Sequence, residues 1–273
     1  MDGSLSVITF NIRNGRACDG GNSWPFRRRW VPAYIRDLDA DVVGLQEAFY
    51  NQVVAVEKAL HGYERVGVGR DNGRRKGEYC PIFIRSERLT ILDHGAFWFS
   101  DTPDAPGSRT WGNTLPRICT WALLSDARPD GSGGLIRMCN LHLDHADADA
   151  RLRSAELLLV RLKEWRAVSP VVIMGDFNAG ERSPVLARLL GGEAGLLDTF
   201  RVRRPRARLV GTFHAWEGTA GGAKIDHILA TPDIEVLDAA ILRDTVQGRL
   251  PSDHWPVMAR LRATNPTADG STL

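Results

Sequence analysis

The stretch V-V-I-M-G-D-F-N-A, residues 171–179, joins four apolar residues to a glycine, a carboxylate and an amide. Four apolar residues in a row are typical of a strand that is buried on both faces. Side chains at positions i and i+2 of an extended chain point the same way, so Asp176 and Asn178 should project together from the strand end. Placing two polar groups there costs desolvation free energy unless they bind something. The stretch therefore predicts a core strand that ends at a binding site.

The composition is that of a globular protein. The chain has 273 residues, 43% hydrophobic and 25% charged, which favours one large α/β domain or two small ones. No run approaches the ~20 apolar residues of a spanning helix, and no secretory signal precedes the first strand-like pattern. We therefore expect a cytoplasmic protein without a membrane span or an obligate protein partner. Without a linker or repeat, a single domain over 1–263 and a flexible tail over 264–273 are expected.

The four cysteines are far apart and lack C-x-x-C spacing. This pattern indicates neither a zinc site nor a disulfide framework, and it favours reduced, mostly buried thiols.

Short β-rich runs recur along the chain, and each is bounded by polar residues or glycine. They are L-S-V-I-T-F (5–10), D-V-V-G-L (41–45), Y-C-P-I-F-I (79–84), L-I-R-M-C-N-L-H-L (135–143), V-V-I-M (171–174), K-I-D-H-I-L-A (224–230) and W-P-V-M-A-R-L (255–261). Helical patterns follow Pro25 and Arg151, and Ser183 before Pro184 is typical of a helix start. Because strands are closely spaced in the second half, we expect sheets covered by helices rather than a simple doubly wound sheet.

Polar residues recur where these strands end. They are Asn11, Glu47, the set Asn140, His142 and Asp144, the pair Asp176 and Asn178, Asp226, and the pair Asp253 and His254. A single such residue usually caps a turn or helix. Six strand ends that each carry one are hard to explain as independent caps. Since ligands bind outside the carboxyl ends of strands in α/β sheets, we expect these ends to converge on one site.

The residue types indicate the chemistry of that site. Glu47, Asp253 and the amide oxygen of Asn11 are hard oxygen ligands, which suit Mg²⁺ or Mn²⁺ with bound waters rather than a closed zinc site. Two histidines, one of which Asp226 could orient, add hydrogen-bond donors for an anionic oxygen. A metal ion, hydrogen-bond donors and a carboxylate that accepts a proton are the groups that hydrolysis of a phosphate ester requires. The barrier to this reaction is lowered by positioning the reactants and neutralising charge.

The motifs T-F-N, L-Q-E, L-H-L-D, M-G-D-F-N, K-I-D-H and S-D-H-W-P-V resemble, in this order, those of the endonuclease/exonuclease/phosphatase superfamily, which includes DNase I. The resemblance runs from Asn11 to Pro256. It implies an α+β fold in four layers, with two mostly antiparallel β-sheets packed face to face, helices outside, and the site at one edge of the sheets. It also implies a Mg²⁺-dependent hydrolase, with Mn²⁺ possible, that directs water to phosphorus.

The resemblance further implies a metal site and a water-handling residue. Glu47 would be the principal metal ligand, with Asn11 and Asp253 near the metal directly or through water. Asp176 would orient or deprotonate the attacking water, and Asn178 would hold a phosphoryl oxygen.

Two histidines would act on the phosphate by the same resemblance. His254, paired with Asp226, would donate to the phosphate, and either it or Asp176 could be the general base. His142 would face the leaving group or a phosphate oxygen.

Three further residues are expected to bind the substrate. Glu78 precedes an apolar strand in a G-E-x-x-P-I-F pattern similar to that of bacterial relatives, which indicates that it lines the site. Arg117 begins another strand and could clamp a phosphate or a carboxylate. Trp111 lies in a long loop, where it could stack on a base or sugar or else anchor the loop.

The substrate itself is left open between nucleic acid and a small phosphoester. A net charge of +2 favours a small or partly neutral substrate, whereas R-V-R-R-P-R-A-R, residues 201–208, favours a polyanion. Another basic cluster, Arg70 to Lys76, fits a solvated surface as well as an anionic substrate.

Two alternative functions are also compatible with parts of the sequence. N-L-H-L-D-H, residues 140–145, is one residue short of the H-x-H-x-D-H signature of dinuclear zinc metallohydrolases of the metallo-β-lactamase type, because Asn140 replaces the first histidine. The chain could also be a catalytically silent binding module, although such a module would be free to lose Glu47, Asp176 or His254, and all three are present.

Overall fold

The computed structural model describes residues 3–127 and 133–263. The expected tail over 264–273 lies outside the described residues, and the single domain over 1–263 stays a prediction. The described residues form two six-stranded sheets and six α-helices.

The first sheet contains six strands, here numbered in chain order with those of the second sheet. They are β1 (Leu5–Asn11), β2 (Val42–Gln46), β3 (Tyr63–Val66), β4 (Ile82–Arg85), β11 (Ile234–Ile241) and β12 (Val257–Ala263). Their order across the sheet is β11-β12-β1-β2-β4-β3. β1 and β2 run parallel, and the other neighbours are antiparallel.

The second sheet repeats this plan. Its strands are β5 (Leu89–Trp98), β6 (Ile118–Asp126), β7 (Leu135–His142), β8 (Val171–Asp176), β9 (Leu197–Asp198) and β10 (Asp226–Ala230). The order is β5-β6-β7-β8-β10-β9, and only β7 and β8 run parallel. Each sheet therefore has one pair of strands whose carboxyl ends lie side by side, and β1 and β2 pack against β8 and β7 of the opposite sheet.

The helices lie outside the sheets. They are α1 (Trp24–Arg27), α2 (Val31–Asp37), α3 (Tyr50–Ala59), α4 (Ala148–Arg166), α5 (Pro184–Leu190) and α6 (Thr199–Arg203). α4 begins where the Asp147 side chain accepts a hydrogen bond from Ala150 N, and α5 begins where Ser183 accepts one from Leu186 N. The helix start predicted at Ser183 is confirmed. Among the described residues, none of these helices has the length and apolar character needed to cross a membrane.

Three apolar layers hold the elements together. Val7 and Val172 belong to the core between the two sheets, whereas their neighbours Ile8 and Ile173 face the outer cores under the helices. β1 and β8 are therefore buried on both faces, which is why V-V-I-M reads as an unbroken apolar run. The predicted four-layer arrangement of mostly antiparallel sheets is confirmed. Three of the four free cysteines are buried in it, and only Cys18 is exposed.

A buried polar contact joins the sheets near the ends of β2 and β7. Asn140 Nδ2 donates to the carbonyl oxygens of Leu45 and Pro81, both at 2.8 Å, and Asn140 Oδ1 accepts from Gln46 Nε2 at 2.6 Å. Gly44 leaves room for this side chain, because a Cβ there would lie 2.9 Å from Asn140 Cγ. Asn140 thus holds the sheets together and does not take the place of a zinc-binding histidine.

Asn140→Ala should lower the free energy of unfolding by about 2–4 kcal/mol, because it removes three buried hydrogen bonds that join the sheets. Urea unfolding measures this. Asn51→Ala, on the exposed side of α3, is the matched control and should change the value by less than about 0.5 kcal/mol. Equal stability of the two variants would show that the contact does not stabilise the sheet packing.

Candidate active site

A cavity of about 350 Å³ opens where the polar strand ends meet. Eight of the eleven residues predicted for the site line it: Glu47, Glu78, Arg117, His142, Asp176, Asn178, Asp253 and His254. Asn11 and Asp226 lie behind this wall with no exposed surface. Trp111 is not among the lining residues. The strand ends therefore converge as predicted.

Asn11, the last residue of β1, bridges two carboxylates of the cavity. Its Nδ2 donates to Glu47 Oε1 at 3.1 Å and to Asp176 Oδ2 at 2.9 Å. Its Oδ1 accepts a hydrogen bond from Arg13 N at 3.0 Å. In this orientation the amide nitrogen faces the carboxylates, so the contact supports a bridging role, and metal ligation by Asn11 stays a prediction.

Glu47 leaves β2 in an unusual backbone conformation. Its φ is 61°, in the left-handed region that costs a non-glycine residue about 1–3 kcal/mol. Glu47 Oε2 accepts hydrogen bonds from Asn14 N at 2.8 Å and from Asn14 Nδ2 at 3.2 Å. Burial opposes ionisation, but the charge of His254 and the hydrogen bonds from Asn11 and Asn14 hold the pKa of Glu47 below its usual value. The backbone strain thus serves to present an ionised carboxylate to the cavity.

The pKa of Asp253 is shifted in the opposite direction to that of Glu47. Burial and the nearby charge of Glu47 raise its pKa, although His254 and Arg13 oppose this, with Arg13 Nε 3.6 Å from Asp253 Oδ2. Two buried carboxylates close together repel each other and lack sufficient positive charge nearby. A divalent cation that prefers oxygen ligands would supply this charge. Glu47 and Asp253 therefore fit the expected Mg²⁺ or Mn²⁺.

A second group could bring three ligand atoms together: Asp176, Asp226 and His254, whose atoms lie within 4.8 Å of one another. Two of these residues are already joined, because His254 Nδ1 lies 2.9 Å from Asp226 Oδ2. A metal there would have to break this contact, so Glu47 and Asp253 are the better candidates for metal ligands.

The three side chains instead form a line of titratable groups. His254 Nδ1 contacts Asp226, and its Nε2 lies 3.9 Å from Asp176 Oδ2. Burial lowers the pKa of His254, but Asp226 and Asp176 outweigh burial and raise the pKa to about 10. Burial and the charge of Asp226 raise the pKa of Asp176 to about 7. The imidazolium is thus suited to donate, and the Asp176 carboxyl to exchange a proton near neutral pH.

His142 differs from His254. Its Nε2 lies 3.6 Å from Asp176 Oδ2. Burial, followed by the charges of Arg117 and Arg70, lowers its pKa well below the usual value. The site therefore holds one charged and one neutral imidazole, and environments that push two pKa values apart are typical of paired catalytic roles.

Asp176 and Asn178 share the cavity for a reason that differs from the one predicted. β8 ends at Asp176, and Asn178 has a φ of 47°, so strand alternation does not extend to it. The tight turn places Asn178 N 2.8 Å from Asp176 Oδ1, while Asn178 Nδ2 donates to Leu143 O at 3.1 Å. Phe177 points away into the core under α4 and α5.

Three guanidinium groups face the acidic floor. Arg13, Arg70 and Arg117 all line the cavity. Arg70 Nη1 lies 2.5 Å from Glu78 Oε2, and Arg117 Nε lies 3.3 Å from Asp144 Oδ2. Sequence reasoning missed Arg13, and it placed Arg70 in a basic run typical of a solvated surface, yet Arg70 is 6% exposed. No local sequence signal separates Arg70 from its exposed neighbours in that run.

Trp111 and the arginine run 201–208 lie away from the cavity. Trp111 Nε1 donates to Asp101 Oδ1 at 2.7 Å, and the ring packs on the core under α4. These contacts anchor its loop, and substrate stacking by Trp111 stays a prediction. Within the run, Arg201 pairs with Glu181 at 2.6 Å and Arg204 with Asp238 at 3.0 Å.

A buried charge network supports the D-F-N turn from behind. Lys224 Nζ donates to Asp198 Oδ2 at 2.7 Å and lies 2.6 Å from His227 Nδ1. His227 Nε2 donates to Ala179 O at 3.0 Å, and its ring packs edge-on against Phe177 at 5.3 Å. The network thus fixes the backbone that follows Asp176.

Comparisons with known proteins identify the family and the fold. The model of the Endonuclease/Exonuclease/phosphatase family matches residues 8–254. The crystal structure of an endonuclease/exonuclease/phosphatase from Bacteroides vulgatus is 34% identical, covers 95% of this chain and 99% of its own, and superposes with a TM-score of 0.87. A mannosyl-6-phosphatase from Bacteroides thetaiotaomicron is 33% identical, with coverage of 94% and 99% and a TM-score of 0.84.

Curated relatives are more distant. The CCR4-Not complex 3'-5'-exoribonuclease subunit Ccr4 of Aspergillus oryzae is 28% identical over 177 residues, which are 58% of this chain and 23% of that protein. The chain spans less than half the length of such curated relatives.

Asp198→Asn should destabilise the protein most at neutral pH. Burial opposes ionisation, but His227 and Lys224 lower the pKa of Asp198 in the fold. Its contribution is therefore full above the unfolded pKa of about 3.9 and is lost as pH falls toward the folded pKa. The stability difference from wild type should shrink by about 1 kcal/mol from about pH 6 to about pH 3. Urea unfolding at both pH values measures it, and a constant difference would contradict the assignment.

Asp253→Asn should stabilise the metal-free protein, by about 0.5–2 kcal/mol, because it removes a buried carboxylate from the field of Glu47. The same change should abolish stabilisation by Mg²⁺. Thermal unfolding in EDTA and in MgCl₂ tests both effects, with the exposed Asp244→Asn as control. A variant that is less stable in EDTA yet still stabilised by Mg²⁺ would contradict this account of Asp253.

Proposed function

Because the chain belongs to the endonuclease/exonuclease/phosphatase family, whose members hydrolyse phosphoesters, we propose that it is a Mg²⁺- or Mn²⁺-dependent hydrolase of a small phosphomonoester. The observation that carries the proposal is the charge arrangement of the cavity. Three guanidinium groups surround a floor of carboxylates within about 350 Å³. Such a volume lies at the lower end of small-molecule sites.

The charge count favours a phosphate with two negative charges. Arg70 and Arg117 each have a carboxylate partner, and Glu47 and Asp253 leave an excess of negative charge that a divalent cation would reverse. A phosphomonoester brings two charges at neutral pH, whereas each diester linkage of a nucleic acid brings one. Guanidinium forks match the phosphate oxygens in geometry as well as in charge.

Glu47 and Asp253 would hold the metal, which when bound supplies charge neutralisation at the phosphate and lowers the barrier to attack by water. Asp176 accepts the proton of the attacking water, since its pKa of about 7 lets it exchange protons at neutral pH. The imidazolium of His254, held by Asp226, donates to a phosphate oxygen that gains charge in the transition state.

Two further residues position the phosphate. Asn178 uses one amide hydrogen for Leu143 O, and its second hydrogen can reach a phosphoryl oxygen from the cavity wall. His142 is neutral and faces the same cavity, where its ring can donate to the oxygen of the leaving group.

Similarity to the mannosyl-6-phosphatase supports a small phosphomonoester, because the two chains match over almost their full described length. The exoribonuclease relative is less similar and covers only part of this chain. A nuclease would use Arg203, Arg206 and Arg208, which are exposed, as a track for the backbone. Nucleic acid is therefore the second candidate substrate. The cytoplasmic location expected from the sequence stays a prediction.

Asp176→Asn should reduce kcat by about 100- to 10,000-fold, because the amide cannot take the proton of water. The assay follows phosphate release from p-nitrophenyl phosphate and hexose phosphates, and cleavage of single-stranded RNA and DNA, in MgCl₂, MnCl₂ and EDTA. Activity should require the divalent ion and appear on the phosphomonoesters.

The exposed Asp37→Asn is the matched control and should retain wild-type activity. Metal-dependent cleavage of nucleic acid without phosphomonoester hydrolysis would replace the proposed substrate with a polyanion. Full activity of Asp176→Asn would overturn its assignment as the base.

A further inference from the structure

Glu78 and His145 are among the polar residues that line the cavity and have no assigned part in the chemistry at phosphorus. Asp176 and His142 are buried at the floor, whereas Glu78 is partly exposed and His145 is exposed. The pair therefore lies outward from the position of the phosphorus atom, on the side where the alcohol of a phosphomonoester must extend.

Glu78 is an unusual residue for a phosphate pocket. Arg70 Nη1 lies 2.5 Å from its Oε2, and its side chain is 14% exposed. Burial raises the pKa of Glu78 to about 7 against the charge of Arg70, and the ionised form that pairs with Arg70 repels phosphate oxygens, so this form has to contact hydrogen-bond donors of a bound substrate. Among the parts of a phosphomonoester, only the alcohol can supply such donors.

The contact of His145 with Arg117 fixes its tautomer. Arg117 Nη2 lies 2.7 Å from His145 Nδ1. A guanidinium has donors and no acceptor, so Nδ1 accepts and the ring proton lies on Nε2. His145 therefore presents an N–H donor from the exposed rim of the cavity.

Glu78 and His145 belong to one wall. Burial and the charge of Arg70 lower the pKa of Arg117, and the charge of Arg117 also acts on Glu78. Arg70 and Arg117 both line the cavity, with Glu78 attached to the first and His145 to the second. The wall offers two guanidinium groups for a phosphate, flanked by one acceptor and one donor.

We propose that Glu78 and His145 bind hydroxyl groups of the esterified alcohol, so that the enzyme selects phosphomonoesters of polyhydroxylated compounds such as sugars. A hydroxyl both donates and accepts, which matches a carboxylate next to an imidazole N–H. Sites built to hydrogen-bond a substrate hydroxyl reject analogues that lack it, because their own polar groups are left unpaired. The inference rests on the proposed phosphomonoester hydrolysis and adds the recognition of its leaving group.

The test compares substrates and variants in the full chain with MgCl₂. Glu78→Gln and His145→Ala are assayed on a hexose phosphate, the corresponding deoxyhexose phosphate, and p-nitrophenyl phosphate, which has no hydroxyl. kcat/KM for the hexose phosphate should fall by about 10-fold or more in each variant, mainly through KM. The value for p-nitrophenyl phosphate should fall at least about 3-fold less, because that substrate lacks the hydroxyl contacts and is affected only through Arg70 and Arg117, which pair with the two residues.

His145→Gln keeps an N–H donor and should recover most of the hexose phosphate activity lost in His145→Ala. His61→Ala, at an exposed position outside the cavity, is the matched control. Should Glu78→Gln fail to fold because Arg70 loses its partner, the histidine variants carry the test alone.

Equal losses on all three substrates, or a wild-type enzyme that does not prefer the hexose phosphate to its deoxy analogue, would overturn the inference while phosphomonoester hydrolysis stands. Absence of metal-dependent release from every phosphomonoester would instead refute the proposed function, and the inference with it.

Discussion

The site depends on one buried amide. Asn11 Nδ2 donates to Glu47 from the first sheet and to Asp176 from the second, so a single side chain ties together two carboxylates that repel each other. This is possible because β1 and β8 pack across the central core and end at the same edge. Without this amide, Glu47 and Asp176 would share no hydrogen-bond donor. The expected metal ligand would then no longer be tied to the residue expected to act on water.

Around this bridge, burial and charge give similar side chains different roles. Burial acts on both carboxyls, but the charge of His254 and the hydrogen bonds from Asn11 and Asn14 lower the pKa of Glu47, whereas burial and the charge of Asp226 raise the pKa of Asp176. His254 is held charged by Asp226, whereas His142 is kept neutral by burial and the arginines. These four side chains are of only three residue types, and their surroundings suit them to the four proposed roles of metal ligand, proton acceptor, charged donor and neutral donor.

Much of this arrangement could be predicted from the sequence, because apolar strands that end in polar residues restrict where those residues can lie. Asp176, Glu47 and His254 were found in this way, and the family resemblance supplied their order. The backbone turns were not predictable. Glu47 and Asn178 reach the cavity through positive φ values, which strand alternation cannot anticipate and which no glycine marks.

Residues placed by tertiary packing also escaped prediction. Arg70 stands in a run of exposed basic residues, and only its contact with Glu78 inside the cavity distinguishes it. Asn140 lies on the same strand face as His142, as its spacing indicates. Its side chain does not line the cavity, however, but donates hydrogen bonds to the carbonyl oxygens of Leu45 and Pro81 between the sheets. In both cases the partner lies far away along the chain, so the local pattern carries no information about it.

The central claim is that a divalent cation binds between Glu47 and Asp253, next to the bridge formed by Asn11. Crystals soaked in MnCl₂ and measured at a wavelength where manganese scatters anomalously test this most directly. The account predicts an anomalous difference peak in contact with carboxylate oxygens of Glu47 and Asp253. A peak held instead by Asp176, Asp226 and His254, or no peak in the cavity, would contradict it.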